Sequence, residues 1–337
     1  MDKIKIAIVG AGQTGRGFLA RLFHRQAEIL LIDSNRSLID NLRESGSFTV
    51  RYFNNGEPDT ISGYEAHWTG NEIPSLKNCD VVFISVRPEN TAAAGMWLED
   101  KIRPDAAVIV CENAAFPAEL LATPLKKRAG SGAVFCTTVN NSTLDILSED
   151  YPVLHVDGNL GAAIKLSGIK QEPDFAVLMQ RKIYTYNAAS AIIAYLGAAK
   201  GYDSFPAAAN DREIAAQLDN FYTEINNAIC KEFAVEPEEQ RQFALLSKLK
   251  FQNTQIADSI VRNAASPKRK LGASERIIQP AKLILAHGGN PDVLAKTAAA
   301  ALRYMDVDDI GNVRNLLQTI SGLSADEPLF SLVLEAF

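Results

Sequence analysis

A glycine-rich turn between a buried strand and a helix constrains the fold of this chain more than any other feature. The segment that ends at Val9 (IKIAIV) has the β-branched character of a buried parallel strand. It leads into residues 10–15 (GAGQTG), which fit the pattern G-x-G-x-x-G, and residues 18–24 then have helical spacing. In this context the pattern predicts a dinucleotide-binding turn at the start of a Rossmann domain.

Each glycine of the turn has a separate expected task. Gly10 permits the tight turn, Gly12 lets the backbone approach a pyrophosphate, and Gly15 lets the helix pack closely on the sheet. The intervening Gln13 and Thr14 belong to the helix start, where backbone N–H groups and the helix dipole face an anion. We therefore assign all five residues to cofactor binding.

The second strand of the unit indicates which cofactor is bound. Asp33 ends this strand, at about the expected distance after the glycines. Its carboxylate would accept hydrogen bonds from the ribose hydroxyls and repel a 2′-phosphate, so NAD is favoured over NADP. Arg36 lies close enough in sequence to leave NADP open. Val86, at the end of a later strand (DVVFISV), is expected to line the same site.

The pattern along the chain predicts an α/β protein with two domains. Strands alternate with helices up to about residue 150, which predicts a doubly wound parallel sheet, with an inserted hairpin within residues 47–62 and a further strand at 132–138. Beyond that point long alanine- and leucine-rich segments have helical periodicity. We expect an NAD-binding domain at residues 1–150 and a mostly helical substrate domain at residues 151–337.

Charge and composition narrow the classes of function. A net charge of −6 and a pI of about 5.4 argue against general attraction to nucleic acid or an anionic membrane. No apolar run reaches the roughly 18 residues needed to cross a bilayer, and no signal peptide is evident. The four cysteines and four histidines have no metal-site spacing. We expect a cytoplasmic, metal-independent monomer or homodimer that acts on a small molecule.

One predicted helix of the second domain carries polar residues amid aliphatic ones. At about 100° per residue, Lys182 and Ser190 differ by about 80°, and Asn187 and Ser190 by about 60°. The three can share one broad polar face. A lysine beside an asparagine, shielded by aliphatic side chains, is expected to have a lowered pKa and to act as a base. By pattern alone, an ordinary amphipathic helix is the favoured interpretation of this segment.

Four co-linear segments resemble the mannitol-1-phosphate 5-dehydrogenases and the wider polyol-specific long-chain dehydrogenase family. Residues 181–197 (RKIYTYNAASAIIAYLG) are similar to that family's signature helix, and residues 10–18 to its nucleotide loop. Residues 110–113 (VCEN) resemble its C-E-N element. Residues 266–271 (SPKRKL) and 275–280 (ERIIQP) resemble its P-x-R-K-L and D-R-L-I-x-P stretch.

The resemblance implies roles for the polar residues of the signature helix. Lys182 becomes the general base that takes the proton of a secondary hydroxyl while hydride leaves for NAD. Asn187 and Asn113 donate hydrogen bonds to the developing alkoxide, and Ser190 completes this catalytic set. Asn113 also follows a predicted parallel strand, at the carboxyl end where open α/β sheets bind ligands.

A basic segment and one further arginine are candidates for substrate binding. Lys268, Arg269 and Lys270 are expected to receive an anionic group such as a phosphate or carboxylate, although a solvated basic turn is an equal alternative. Arg16, next to the glycine turn, is a further candidate for the same task. The expected substrate is a polyol, a sugar phosphate or a sugar acid.

The chain also departs from the family at two positions that bear on the substrate. The family's signature helix has a histidine where this chain has Ser190, and a hydroxyl can neither hold a positive charge nor shuttle a proton near pH 7. The family's Asp-Arg pair is replaced within residues 139–142 (VNNS), and the chain is shorter than typical relatives. These differences predict a divergent member of the family.

Two other readings of the sequence remain open. One is a reductase of a sugar acid or of an imine, as in opine-type dehydrogenases, which also pair a Rossmann domain with a helical domain. The other is a catalytically silent NAD-binding protein, which the lost histidine and Asp-Arg pair would explain. The retained Lys182 and Asn187 favour alcohol and ketone chemistry over both.

Overall fold

The chain folds into two compact units. A computed structural model describes residues 3–112, 117–122, 124–140, 142–157 and 166–337. The first unit is Met1–Met179 and the second is Gln180–Phe337. Among the described residues, none of the helices combines the length and the apolar character that a membrane crossing requires.

The first unit is built on an eight-stranded sheet with the order β12-β11-β8-β7-β6-β1-β2-β5. Its neighbouring strands pair in parallel except for β8 and β11, which are antiparallel. The strands of this sheet are β1 Ile4–Val9, β2 Ala27–Asp33, β5 Glu65–Trp68, β6 Val81–Ile84, β7 Ala107–Val110, β8 Ala129–Ala133, β11 Leu154–Asp157 and β12 Ile169–Glu172. The parallel α/β sheet predicted from the sequence is confirmed.

Strand β1 shows why these residues form a central strand. Ile6 and Ile8 are fully buried in one hydrophobic cluster, whereas Ala7 and Val9 are buried in a second cluster on the opposite face. A strand buried on both faces must be apolar at every position, which is why the sequence shows a continuous β-branched run here rather than an alternating one.

Helices and turns connect these strands. The helix after β1 begins with residues 13–14, continues as a π-helical turn at Gly15–Ala20 and ends as α1. Among the described residues, 3₁₀ turns follow later in the unit at Pro74–Asn78, Pro117–Leu120 and Pro124–Lys127. The α-helices that begin in this unit are α1 Arg21–Phe23, α2 Arg36–Ser45, α3 Pro88–Leu98 and α4 Phe175–Lys182.

A second, four-stranded sheet has the order β4-β3-β10-β9. Strands β3 (Ser47–Tyr52) and β4 (Asp59–Ser62) pair antiparallel and form the hairpin that the sequence predicted. Strand β10 (Ile146–Ser148) pairs parallel with β3 and antiparallel with β9 (Thr138–Asn140). The strand predicted at residues 132–138 is therefore two shorter strands in different sheets, β8 and β9.

The boundary between the units lies later than the sequence suggested. The change from alternating strands and helices to helical segments near residue 150 predicted a domain boundary there, whereas the compact units divide between Met179 and Gln180. The reason is that β11 and β12 add two further strands to the edge of the large sheet. These strands are short and partly exposed, so their sequences lack the apolar runs that mark the central strands.

The second unit is helical. A long α-helix with a π-helical segment at Ile183–Asn187 forms its first element, and α5 within it is buried along most of its length. The helices after α4 are α5 Ala188–Ala199, α6 Phe205–Ala209, α7 Arg212–Phe233, α8 Pro237–Gln252, α9 Ile260–Ala264, α10 Pro267–Lys270, α11 Ile278–Ala286, α12 Asp292–Arg303, α13 Ile310–Thr319 and α14 Pro328–Ala336.

Candidate active site

A cleft at the carboxyl ends of β1, β2 and β6 is the candidate cofactor site of the first unit. It encloses about 300 Å³, a size that suits part of a dinucleotide. The position agrees with the general rule that open α/β sheets bind ligands beyond the carboxyl ends of their strands. The residues that line the cleft are Val9, Gly10, Asp33, Ser34, Thr69, Val86, Asn90, Ala93, Ala94 and Trp97.

The glycines of the turn differ in the space around them. Gly10 has φ +101°, and a Cβ atom on it would lie 2.1 Å from the backbone oxygen of Ser85. A Cβ atom on Gly15 would lie 2.0 Å from the backbone oxygen of Gly10. A Cβ atom on Gly12 would have no protein atom within 4 Å. The fold itself therefore requires Gly10 and Gly15, whereas the space beside Gly12 is open to a ligand.

The polar side of the cleft is formed by the end of β2. Asp33 Oδ1 accepts a hydrogen bond of 2.8 Å from the amide of Asn35, which orients the carboxylate. The guanidinium of Arg36 lies 5.3 Å from the centre of the Trp68 ring, and its Nε lies 3.7 Å from Asp40. Arg36 is largely exposed and is not among the residues that line the cleft, whereas the charged Asp33 is.

The remaining residues predicted for the cofactor site lie at the same place. Val86 lines the cleft, and its Cγ1 atom would lie 3.1 Å from a Cβ atom on Gly10. Gln13 and Thr14 form the first turn of the helix and are half-buried. The first-turn N–H groups of a helix have no intrahelical acceptor, so this turn presents donors to an anion. These residues fit a dinucleotide such as NAD.

Arg16, which the sequence predicts as a substrate contact, is held by contacts within the first unit. Its side chain is buried, and its Nε donates a 2.8 Å hydrogen bond to the backbone oxygen of Ala11. A second nitrogen donates to the backbone oxygen of Leu144, and the guanidinium lies 5.8 Å from the centre of the Phe48 ring. These contacts tie the glycine turn to the second sheet, and the geometry gives no support to substrate binding by Arg16.

In the second unit, the π-helical segment places the predicted catalytic residues. The amide of Ala188 donates to the carbonyl of Ile183, which is a hydrogen bond between residues five apart. On an ideal α-helix, Lys182 and Asn187 would be separated by about 140°. Because the wider turn brings residues five apart closer to one side of the helix, it favours a shared face for these two. Both side chains are buried, with relative exposures of 4% and 9%.

A buried network of hydrogen bonds connects this segment to neighbouring helices. Gln240 of α8 is fully buried and donates hydrogen bonds to Thr185 Oγ1 at 3.1 Å and to Asn226 Oδ1 at 3.0 Å. Its Oε1 atom accepts a 3.0 Å hydrogen bond from Arg181, which also pairs with Glu239 at 2.7 Å. The network therefore holds the residues on either side of Lys182 to α7 and α8.

Asn263 links the signature helix to the basic segment. Ser190 Oγ lies 3.4 Å from Asn263 Oδ1, which is a weak hydrogen bond. Lys270 Nζ donates to the backbone oxygen of the same residue. Tyr195, one turn further along α5, donates to the backbone oxygen of Ala264 at 3.1 Å. The structure thus brings Ser190 and Lys270 together around one residue that the sequence did not single out.

The three basic residues predicted for substrate binding have different surroundings. Lys268 is exposed to solvent. Arg269 is half-exposed and pairs with Glu275 at 3.1 Å. Lys270 is buried, with its ammonium 5.7 Å from the centre of the Tyr195 ring. Of the three, Lys270 has the enclosed environment of a ligand-binding group, while Lys268 behaves as a solvated residue.

Arg276, in the segment at residues 275–280, is a further buried cation to which the sequence pattern assigns no role. Its guanidinium is 7% exposed, and its Nε donates a 3.1 Å hydrogen bond to Glu275 Oε2. The isoleucines that follow it are also buried. An arginine that directly precedes an apolar helix start is a signal that could have indicated its burial.

Two predicted features fall outside the described residues. Asn113, the second candidate for alkoxide stabilisation, lies there, and so does Asn141 of the segment that replaces the family's Asp-Arg pair. Both remain sequence-based predictions. Among the described residues, no group of three or more histidine, cysteine, aspartate and glutamate side chains is placed to hold a metal ion.

Two models of known protein families match this chain, and they cover different parts of it. Residues 174–319 match the family model of the mannitol dehydrogenase C-terminal domain. Residues 6–149 match the model of ketopantoate reductase PanE/ApbA. The first match covers most of the helical unit, and the second covers most of the Rossmann unit.

The similarity to individual proteins extends over the whole chain. A mannitol-1-phosphate 5-dehydrogenase of Paenarthrobacter aurescens is 27% identical, with 98% of this chain and 94% of that protein covered. The enzyme of the same name from Shouchella clausii is 28% identical, with 98% and 99% covered.

Solved structures share the fold at lower identity. A Pseudomonas fluorescens mannitol 2-dehydrogenase, in a ternary complex with NAD and D-mannitol, has a TM-score of 0.76 at 15% identity and covers 99% of this chain and 90% of that one. A D-sorbitol dehydrogenase has a TM-score of 0.71 at 12% identity, with 99% and 92% covered. Residues 174–319 therefore match the mannitol dehydrogenase C-terminal family, the whole chain is similar in sequence to mannitol-1-phosphate 5-dehydrogenases, and it shares its fold with the two solved dehydrogenases.

Proposed function

We propose that this chain, an NAD-dependent oxidoreductase of the mannitol dehydrogenase family, interconverts a polyol or polyol phosphate with its ketose. The substrates that fit the resemblance are similar to mannitol 1-phosphate and fructose 6-phosphate. The observation that carries the proposal is the buried pair of Lys182 and Asn187 on a π-helical turn. Single π-helical turns within α-helices occur frequently at functional sites.

The cofactor is assigned to the cleft of the first unit. The first-turn amides at Gly12, Gln13 and Thr14 would hold the pyrophosphate, and Asp33 would accept hydrogen bonds from the ribose hydroxyls. The apolar wall at Ala93 and Trp97 is suited to an adenine ring. When bound, NAD supplies the acceptor for the hydride.

Proton transfer is assigned to the second unit. Burial disfavours the charged ammonium of a lysine, so Lys182 is suited to accept the proton of the substrate hydroxyl. Asn187 would donate a hydrogen bond to the oxygen as its negative charge develops, where such stabilisation has the largest effect on rate. In the oxidation, Lys182 would accept the proton of the substrate hydroxyl, while bound NAD would accept the hydride from the carbinol carbon. No step requires a metal ion.

The position of Ser190 bears on how the substrate is recognised. Its hydroxyl stands where the resemblance places a histidine, and it donates a weak hydrogen bond to Asn263 Oδ1. A neutral hydroxyl can hydrogen-bond a substrate oxygen but cannot titrate near pH 7. We infer that the substrate of this chain interacts with the site differently from that of family members that retain the histidine.

The proposal is tested by NADH oxidation with the purified protein, followed by nicotinamide absorbance. The substrates are fructose 6-phosphate, fructose, several keto-sugar acids and an imine formed from a keto acid and an amine. We expect turnover with a ketose or its phosphate. Turnover with a keto acid or imine alone would replace the proposal with the sugar-acid or imine reductase. Tight NADH binding without turnover on any substrate would favour a silent NAD-binding protein.

A further inference from the structure

The second unit contains a buried group of cations with too little negative charge to balance it. We call Lys270, Arg276 and Arg269, together with Glu275, the basic cluster. Lys270 and Arg276 are almost fully buried, with exposures of 6% each. Arg269 lies at the edge of the cluster, with 46% of its side chain exposed.

A single carboxylate serves both guanidinium groups of the cluster. Glu275 Oε1 lies 3.1 Å from Arg269, and Oε2 lies 3.1 Å from Nε of Arg276. Lys270 donates instead to the backbone oxygen of Asn263. In the part of the chain that the structure describes, no carboxylate forms an ion pair with Lys270. With Lys270 protonated, three cations share one anion.

Without a bound anion, this excess of positive charge destabilises the folded protein. Removing an ammonium from water without a paired carboxylate costs several kcal/mol. Burial, followed by repulsion from Arg276 and Arg269, lowers the pKa of Lys270 to about 7. The ionisable groups that face it are Arg276, Arg269, Glu275, Arg262 and Tyr195. Arg262 is already balanced by Asp258. A group that would be more stable as an apolar residue is expected to serve a ligand.

We propose that Arg276 and Lys270 form a binding site for a phosphoryl dianion, and that Lys270 takes up a proton when the dianion binds. An excess of two positive charges matches two negative charges. Glu275 occupies Nε of Arg276, so the two terminal nitrogens of that guanidinium remain for bidentate contact with phosphoryl oxygens. The proposal that the cluster binds a substrate phosphate rests on the proposed function. The proposal that it binds inorganic phosphate does not depend on that function.

The proton balance sets the pH dependence of binding. The free amine of Lys270 gains a proton from solvent and becomes the ammonium that faces the dianion. The affinity for the dianion is therefore greatest near pH 7. It falls as the pH rises, because binding takes up a proton and the proton concentration in the solvent decreases. Below about pH 6 the phosphoryl group itself loses its second charge, which also weakens binding.

The test is calorimetric titration of the full-length chain with inorganic phosphate at pH 8, in two buffers of different ionisation enthalpy. For a lysine with a pKa of about 7 in the free protein, we expect uptake of roughly one proton per phosphate bound. Lys270→Met should abolish the uptake and weaken binding by about 10- to 100-fold. Lys268→Met is the matched control in the same segment, and it should change neither quantity.

Arg276 is tested with two variants, because loss of a buried arginine can unfold the protein. Arg276→Lys retains the charge and removes the bidentate geometry, and it should weaken phosphate binding by about tenfold. Arg276→Gln should weaken it further. Thermal unfolding of each variant establishes that it is folded. Lys270→Met should unfold at a higher temperature than the parent protein, since a buried apolar side chain replaces an unpaired ammonium.

The outcomes separate this proposal from the proposed function. Phosphate binding without proton uptake, or with equal affinity in the parent, Lys270→Met and Arg276→Lys proteins, would overturn the proposal. Proton-linked phosphate binding without turnover of any ketose would leave the site in place while the proposed function fails. Competition between inorganic phosphate and fructose 6-phosphate identifies the substrate as the source of the phosphoryl group. Absence of competition identifies free phosphate as the ligand.

Discussion

The open space beside Gly12 provides a test of the cofactor site that separates binding from folding. A Cβ atom added at Gly12 would have no protein atom within 4 Å, and its φ is outside the left-handed region. The variant Gly12→Ala therefore adds one methyl group to a position that the fold leaves empty. That position is the one at which a dinucleotide turn approaches its pyrophosphate.

The expected effect on binding is large compared with the change in structure. A methyl group between the turn and the pyrophosphate would lengthen or break at least one hydrogen bond to a charged oxygen, and such bonds contribute about 1.5–3 kcal/mol. This corresponds to a loss of NADH affinity of about 10- to 100-fold. Replacing glycine by alanine at an unstrained position stabilises a protein by about 0.4–1 kcal/mol. The unfolding temperature should be unchanged or slightly higher.

Gly10→Ala is the matched control from the same turn. Its Cβ atom would lie 2.1 Å from Ser85 oxygen, at φ +101°. Strain and overlap there should lower the free energy of unfolding by about 2–4 kcal/mol. NADH fluorescence titration gives the affinities and urea unfolding gives the stabilities. The reasoning is refuted if Gly12→Ala binds NADH like the parent protein, or if it loses as much stability as Gly10→Ala.

Three further predictions concern the remaining parts of the site. Lys182→Met should lower kcat by about 100- to 10,000-fold while the Kd for NADH stays within twofold, and an unchanged kcat in steady-state assays would remove Lys182 as the base. Asp33→Ala should weaken NADH binding about tenfold and narrow its advantage over NADPH, so an unaltered preference in parallel titrations argues against the ribose contact. Gln240→Leu should destabilise the chain by about 2–4 kcal/mol in urea unfolding, because Thr185 and Asn226 lose the hydrogen bonds from Gln240 and Arg181 retains only its pairing with Glu239, and it should also reduce kcat. Parent-like stability of that variant would show that the network carries little energy.

The first unit was largely predictable from the sequence because its signals are local. The run before Gly10 is apolar at every position since β1 is buried on both faces. The glycine turn and Asp33 follow at the spacing that one strand–helix–strand unit dictates. The position of Asp33 in the cleft could be inferred from that spacing. The edge strands β11 and β12 could not be inferred, because partly exposed edge strands lack continuous apolar runs.

The second unit was predictable as a set of helices, but its polar contacts were not. The sequence indicated the signature helix at residues 181–197, whereas the π-helical turn that changes the relative direction of Lys182 and Asn187 has no periodic signal. In the sequence, the adjacent basic residues Lys268, Arg269 and Lys270 form a single group. The structure separates them, with Lys268 in solvent and Lys270 buried beneath Tyr195.

The sequence by itself indicated the Rossmann turn, the helical second unit, the resemblance to the mannitol dehydrogenase family and Lys182 as a candidate base. These features depend on residues close together in the chain, where strand and helix periods and glycine conformations are set locally. The tertiary structure alone decided that Arg16 is structural, that Arg276 joins Lys270, and that one carboxylate serves two arginines. Burial and charge balance depend on segments brought together by folding, and a sequence pattern does not record which cations meet without enough anions.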